Sequence, residues 1–314
     1  MSLPHSFLTG KGGGDDSLYP FTSHTFTTCS AFGRFGPSQG QINLAYAGTE
    51  VEGFVTGSQI QLWTVPIEGE YSFFIKGARA EYGGDGVQFS GRLILPTAGE
   101  VLSIIIGQMG SSTGQKSGGG GGGTFLWRST DTAYPILAAG GGGGHGGSSH
   151  TQQNATMQNN GTGYNGGNTS VESQSNGYGG WYGAAGVSGR ISSSGAGWNE
   201  NGRQSQSDCN GALSCAGRFG YSPLNGGEGG QSHTTSVACS GASGWQSDGG
   251  FGGGSGAGYA AGAGGGGYSG GGGSNGCSNG GGSGGSYWQS PEVIESTSQG
   301  QHSGHGELEL TYLG

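Results

Sequence analysis

Gly118-Gly-Gly-Gly-Gly-Gly-Thr-Phe-Leu-Trp-Arg128 places six consecutive glycines directly against a β-like pentad. The same junction recurs in mirror order at Tyr134-Pro-Ile-Leu-Ala-Ala139, which runs into Gly140–Gly144. Of 314 residues 81 are glycine, concentrated between about residues 111 and 286. A glycine run has no side chain to bury and the largest backbone entropy to lose, so it orders only by satisfying its amides on neighbouring segments. An extended helix of the polyproline II type, with about three residues per turn and a rise of about 3.1 Å per residue, points every N–H and C=O outward to such neighbours. Ordering costs about 1–2 kcal/mol per residue and a net hydrogen bond returns about 1 kcal/mol, so a glycine bundle alone is marginal. It needs anchoring at both ends and interspersed aromatic residues. A strict Gly-X-Y period is absent, which excludes a collagen triple helix.

The anchors are legible on either side. Gln59-Ile-Gln-Leu-Trp-Thr64 alternates polar and apolar residues, and Tyr71–Lys76, Val87–Leu95 and Glu100–Ile106 are rich in β-branched and aromatic residues. Pro66-Ile-Glu-Gly69 and Pro96-Thr-Ala-Gly99 read as the turns between them. Gly306–Leu313 closes the chain as an alternating strand, and no segment reads as a long amphipathic helix. The expected fold is all-β, an antiparallel β-sandwich with an inserted bundle of polyglycine, polyproline-II-type helices. Its expected parts are an N-terminal tail at 1–20, sandwich strands at 21–139 with the first glycine run at 111–123, a glycine-rich insertion at 140–289, and a closing strand at 290–314.

Charge and cysteine usage narrow the function classes. Ten Lys+Arg against 19 Asp+Glu give a net charge of −9, with no basic stripe, so no nucleic-acid partner is expected. The most apolar stretch, Val101–Ile106, is strand-sized, so no direct membrane insertion is expected either. Met1–Asp16 lacks the apolar core of a secretory signal; it fits an excised domain, a mature region, or a protein that never uses that route. Five cysteines, Cys29, Cys209, Cys215, Cys239 and Cys277, forbid complete pairing within the chain. Cys209 and Cys215 are the candidate local disulfide, with free buried thiols as the alternative.

Chemistry-bearing motifs are weak. Gly10-Lys11 is followed by Gly12 rather than the Ser or Thr of a phosphate loop. Gly83-Gly-Asp-Gly86 occurs once and reads as a polar turn, and His302 and His305 lack a fixed acidic or thiolate partner for a metal. No nucleophile elbow or paired carboxylates stand out, so no catalytic residues, cofactor or metal are expected. Asn154, Asn160 and Asn168 head three glycosylation sequons, which matter only if the chain is secreted. Tyr164, Tyr178, Trp181, Tyr182, Trp198, Trp245, Tyr259 and Tyr268 punctuate the glycine region and are expected to pack between its segments.

These pieces together resemble the glycine-rich domain of the anaplastic lymphoma kinase and leukocyte tyrosine kinase receptors. The matching residues are Thr25–Cys29, Gly33–Ser38, Ala45–Thr49, Ile60–Pro66 with Gly69 and Tyr71, Gly99–Leu102, Gly107-Gln108, Gly118–Phe125, Ala138–Gly144, Gly264–Tyr268 and Ser303–Leu308. The resemblance implies a tumour-necrosis-factor-like, jelly-roll-type sandwich carrying a polyglycine-helix bundle, used in the receptors to engage small protein ligands. Those relatives commonly place a second cysteine where Ile42 stands here, as a partner for Cys29. Its loss, with the missing signal, admits a virion component or another particle assembled in the cytosol.

The function expected is therefore a rigid, non-enzymatic recognition or adhesion module for a protein or glycan ligand, extracellular or on a particle surface. The competing expectation is a structural subunit of a spike, fibre or filament that forms a homo-oligomer or assembles with other particle proteins. Ice binding by flat glycine arrays is a third.

Overall fold

The computed structural model describes residues 17–112, 117–146, 153–163, 176–181, 192–204, 217–232, 247–258, 261–274, 279–289 and 293–314. Its strands are β1 (Ser23–Phe26), β2 (Val55–Thr56), β3 (Gln61–Thr64), β4 (Gly69–Lys76), β5 (Gly86–Leu95), β6 (Val101–Ile105), β7 (Ser111–Ser112), β8 (Thr124–Arg128), β9 (Leu137–Ala139), β10 (Ser247–Asp248), β11 (Tyr287–Trp288), β12 (Val293–His302) and β13 (Glu307–Tyr312). They form a five-stranded sheet in the order β1-β13-β4-β5-β12 and a six-stranded sheet in the order β11-β9-β8-β6-β3-β2, with β7 and β10 paired separately. Every pairing is antiparallel. The turns at residues 66–69 and 96–99 fall where the sequence places them, and Gly99 takes the left-handed backbone (φ +83°) its turn requires.

The five-stranded sheet buries one face. Tyr71, Phe73 and Ile75 on β4, Val87, Phe89, Leu93 and Leu95 on β5, and Leu308 and Leu310 on β13 alternate with more exposed neighbours. They meet Trp63, Leu102, Ile104, Leu126 and Leu137 of the other sheet in one continuous core, which makes the arrangement sandwich-like. The six-stranded sheet is different. Strand β6 is buried from Leu102 onward, β8 from Thr124 to Trp127, and β9 throughout. Its second face, carrying Ile105, Phe125, Trp127 and Ala138, packs against Trp198, Phe251 and Tyr268 from the glycine-rich region. A strand covered on both faces reads as a near-continuous apolar run, which is how Val101–Ile106 reads apart from Ser103.

One short helix, α1 (Gln39–Ala45), begins at a capping box in which Ser38 and Gln41 exchange side-chain-to-backbone bonds, and it buries Ile42. Ser-x-x-Gln was a readable signal that the strand-centred expectation passed over. The closing strand expected at 290–314 is two strands, β12 and β13; β12 is polar and mostly exposed, and its pairing with β5 is what makes it a strand.

The polyglycine helices expected in the insertion are not seen as assigned elements: its described part carries the short 3-10 helix Pro223–Asn225 and the two-residue strands β10 and β11, and the glycine runs themselves are assigned neither helix nor strand. What they show is a three-residue repeat in hydrogen bonding. Gly262, Gly265 and Tyr268 donate to Asn279, Gly282 and Gly285, while Ala263 and Gly266 donate to Gly118 and Gly121. Gly141 and Gly144 donate to Gly266 and Ala263, and Gly281 and Gly284 donate to Gly144 and Gly141. Ser192, Gly195 and Trp198 donate to Ser274, Gly271 and Tyr268. Successive amides within one segment thus serve successive neighbours, returning to the first after three residues. Serines take part: the fully buried Ser192, Ser193 and Ser255 hydroxyls donate to the carbonyls of Ala261, Gly217 and Ser193.

Close approach makes glycine obligatory within this lattice. A Cβ on Gly121 would overlap the main chain of Ala78 and Arg79, neither of which can swing aside as a side-chain tip would. On Gly40, in α1, the nearest atom would be the Ser38 hydroxyl at 4.0 Å. Gly121→Ala is expected to cost about 1–3 kcal/mol or more, as overpacking does, whereas Gly40→Ala gains about 0.5–1 kcal/mol from helix propensity. Urea denaturation of both variants checks the contrast, and equal midpoints would contradict this packing.

Candidate functional site

Among the described residues Cys29 is buried, and His24, His302 and His305 are partly buried. Cys29 is a free, buried thiol whose Sγ faces the Thr27 carbonyl at 3.6 Å. Burial pushes its pKa up, against hydrogen bonds to Tyr46 and Thr27 that pull it down, so the thiol stays protonated and a poor nucleophile. Ile42, where the receptors resembled above would carry a second cysteine, belongs to the same buried cluster as Cys29. Cys209, Cys215, Cys239 and Cys277 lie outside the described residues. His305 accepts the Met109 amide at Nδ1 (3.1 Å), and its own carbonyl contacts His302 Nε2. Burial, then the neighbouring His302, lowers its pKa. The pair ties the β12–β13 hairpin to the end of the adjoining segment. Asp85, just before β5, sits 3.4 Å from Arg79, and Gly83–Asp85 is the bend that leads into that strand. Among the described residues no group of three or more His, Cys, Asp or Glu is placed to hold a metal ion.

The sequons separate by environment. Asn154 is committed to the fold, its Oδ1 accepting the Asp85 amide at 3.0 Å. Asn160 is exposed, while its sequon partner Thr162 bonds Ser283. Asn168 lies outside the described residues.

The aromatic residues of the glycine region fall into two sets. Trp198 and Tyr268 pack inward, as expected. Trp198 lies over Trp127 and Phe125 and donates its indole N–H to Thr132 (3.1 Å); Tyr268 stacks on Tyr287 at 4.3 Å between ring centres. Tyr178 and Trp181 do the opposite. They are 43% and 38% exposed, although Gly179 and Gly180 between them are buried. Tyr164, Tyr182, Trp245 and Tyr259 lie outside the described residues.

Tyr178 and Trp181 are held by the lattice. Their carbonyls accept from Gly270 and Gly273, each at 2.9 Å, so both residues occupy the same phase of the three-residue repeat. A side chain on Gly179 would overlap the Asn201 carbonyl, and one on Gly180 the Gly271 carbonyl. The guanidinium of Arg203 lies 3.9 Å above the Trp181 ring, and Glu200 stands 3.9 Å from Arg203. Asn176 and Asn199 flank Tyr178, joined by a bond from Asn199 Nδ2 to the Asn176 carbonyl (3.1 Å). The spacing of Tyr178 and Trp181 across two glycines was visible in the sequence; which edge of the lattice faces outward was not.

No family model matches the chain. It is similar to the leukocyte tyrosine kinase receptor of Mus musculus, 36% identical over 98 residues, which is 27% of this chain and 11% of the receptor. The chain therefore matches about one tenth of that relative's length. Among the described residues no helix is long and apolar enough to cross a membrane.

One titratable group marks the sandwich edge. His24 on β1 lies edge-on to Phe26 and Tyr46, with Glu50 as the charged group that favours its protonation. Its Nε2 has no hydrogen-bond partner among the described residues. Burial outweighs Glu50 and lowers its pKa from 6.5 to about 4. The folded state therefore keeps the ring neutral while the unfolded chain takes up a proton below pH 6.5. Stability from this group is complete above pH 6.5 and falls as the pH drops toward 4. In His24→Gln the decline of Tm between those pH values is expected to be shallower than in the parent; parallel curves would show that His24 carries none of it.

Proposed function

We propose that this chain is a non-enzymatic recognition or adhesion module, displayed extracellularly or on a particle surface, in which a rigid glycine lattice presents side chains to a protein or glycan. The observation that carries this reading is the outward pair Tyr178 and Trp181, fixed by main-chain bonds, while Trp198, Phe251 and Tyr268 of the insertion face inward. A site held by backbone geometry loses little entropy when it binds. The partial similarity to a receptor is in keeping with such a role.

At the level of fold, the three-residue repeat of bonds between separate segments supports glycine helices of the polyproline II type, an extended form with that period and no internal hydrogen bonds. Two antiparallel sheets enclosing one core support a jelly-roll-type sandwich of the tumour-necrosis-factor kind.

A self-associating fibre or particle subunit is the competing role. The long edge strand β12 speaks against pairing between copies: its register breaks between Ile294 and Ser296 and again between Ser298 and His302, and Gly300 is left-handed (φ +57°). Irregularities of this kind blunt a sheet edge. Sedimentation velocity across a wide concentration range is expected to show a monomer, and ordered growth with concentration would overturn the recognition reading. Amides of Gly120–Gly122 and Gly265–Gly267 are expected to exchange with deuterium as slowly as those of β4 and β5. Exchange at free-peptide rates would remove the rigid scaffold.

A further inference from the structure

We infer that Tyr178, Trp181 and Arg203 form a binding platform for an uncharged oligosaccharide, with sugar rings lying against the two aromatic side chains. This names the ligand class of the recognition role proposed above and rests on it.

Geometry comes first. Residues three apart in a three-residue repeat leave the segment in the same direction, and at a rise of about 3.1 Å per residue they stand about 9 Å apart. The carbonyls of Tyr178 and Trp181 show this phase directly by accepting from Gly270 and Gly273, and burial follows it, exposed at 178 and 181 and buried at 179 and 180. Two rings at that separation along a straight edge suit a linear chain of linked pyranoses, one sugar to each ring. Gly179 and Gly180 admit no Cβ, so the spacing is built in before any ligand arrives.

Chemistry selects among ligands. Tyrosine and tryptophan pair an apolar face with a polar edge, which matches a sugar's C–H face and rim of hydroxyls. The surrounding groups are donors and acceptors: exposed Asn176 and Asn199, and partly exposed Glu200 and Arg203. A docking site for an apolar protein surface sets Leu, Ile or Val beside its aromatic rings, whereas the described chain neighbours of this pair, Asn176, Gly177, Gly179 and Gly180, are polar or without a side chain. Arg203 is balanced by Glu200 at 3.9 Å and engaged with Trp181, so among the described residues this cation is not left free for an acidic sugar.

Isothermal titration calorimetry on the full chain tests this with three neutral hexasaccharides: β-1,4-linked glucose, β-1,4-linked N-acetylglucosamine and α-1,4-linked glucose. Saturable binding of at least one is expected. Trp181→Ala and Tyr178→Ala are each expected to weaken it about tenfold or more, with Trp181→Phe retaining most of it and Phe35→Ala, exposed elsewhere, unchanged. An unaltered thermal midpoint in each variant shows that folding is not what was lost. Absence of binding by all three sugars overturns the inference, as does binding that both alanine variants leave intact. A monomer that ignores all three sugars loses this ligand class and keeps the recognition role; concentration-dependent assembly removes that role whatever the sugars do.

Discussion

Everything in this molecule depends on buried amides that have nowhere to turn but to each other. Glycines of this region lie so close to neighbouring main chain that a Cβ on most of them would overlap it, and an unpaired N–H there would cost about 1–3 kcal/mol. The three-residue alternation of partners solves this without a sheet: one segment serves several neighbours, each neighbour serves others, and the network closes in three dimensions.

The lattice also completes the sandwich. Without Trp198, Phe251 and Tyr268, the six-stranded sheet would expose Ile105, Phe125 and Trp127 to water. With them, apolar burial offsets the entropy that glycine loses on ordering, which main-chain bonds alone do not. Each part supplies what the other lacks: the sheet provides fixed attachment points such as Ala139–Gly140 and Gly123–Thr124, and the glycine segments provide a lid. The sandwich and the insertion are thus one cooperative structure in physical terms.

Much of this was legible in residue order. Strands rich in aromatic and β-branched residues, the turns at Pro66–Gly69 and Pro96–Gly99, and the return of the chain at Gly306–Leu313 all follow from local preference. What local preference does not contain is pairing. Strand β12 is polar and exists because β5 offers a free edge, and α1 is short enough that only its cap announces it. The outward aromatic pair was half visible: the interval between Tyr178 and Trp181 is a sequence fact, but a neutral string of glycines gives no hint of which side meets solvent. That depends on Gly270 and Gly273, almost a hundred residues away.

The repeat of three imposes an arithmetic on how this chain can change length. Deleting or inserting a triplet within a glycine segment slides it by one full turn and returns each main-chain group to an equivalent neighbour. Adding one or two residues instead rotates everything beyond by a third or two thirds of a turn, turning a solvent-facing ring into the interior and an inward hydroxyl out to water. Length variants of the segments that carry Tyr178, Trp181 and Trp198 would therefore survive in steps of three, an indel grammar set by hydrogen-bond phase.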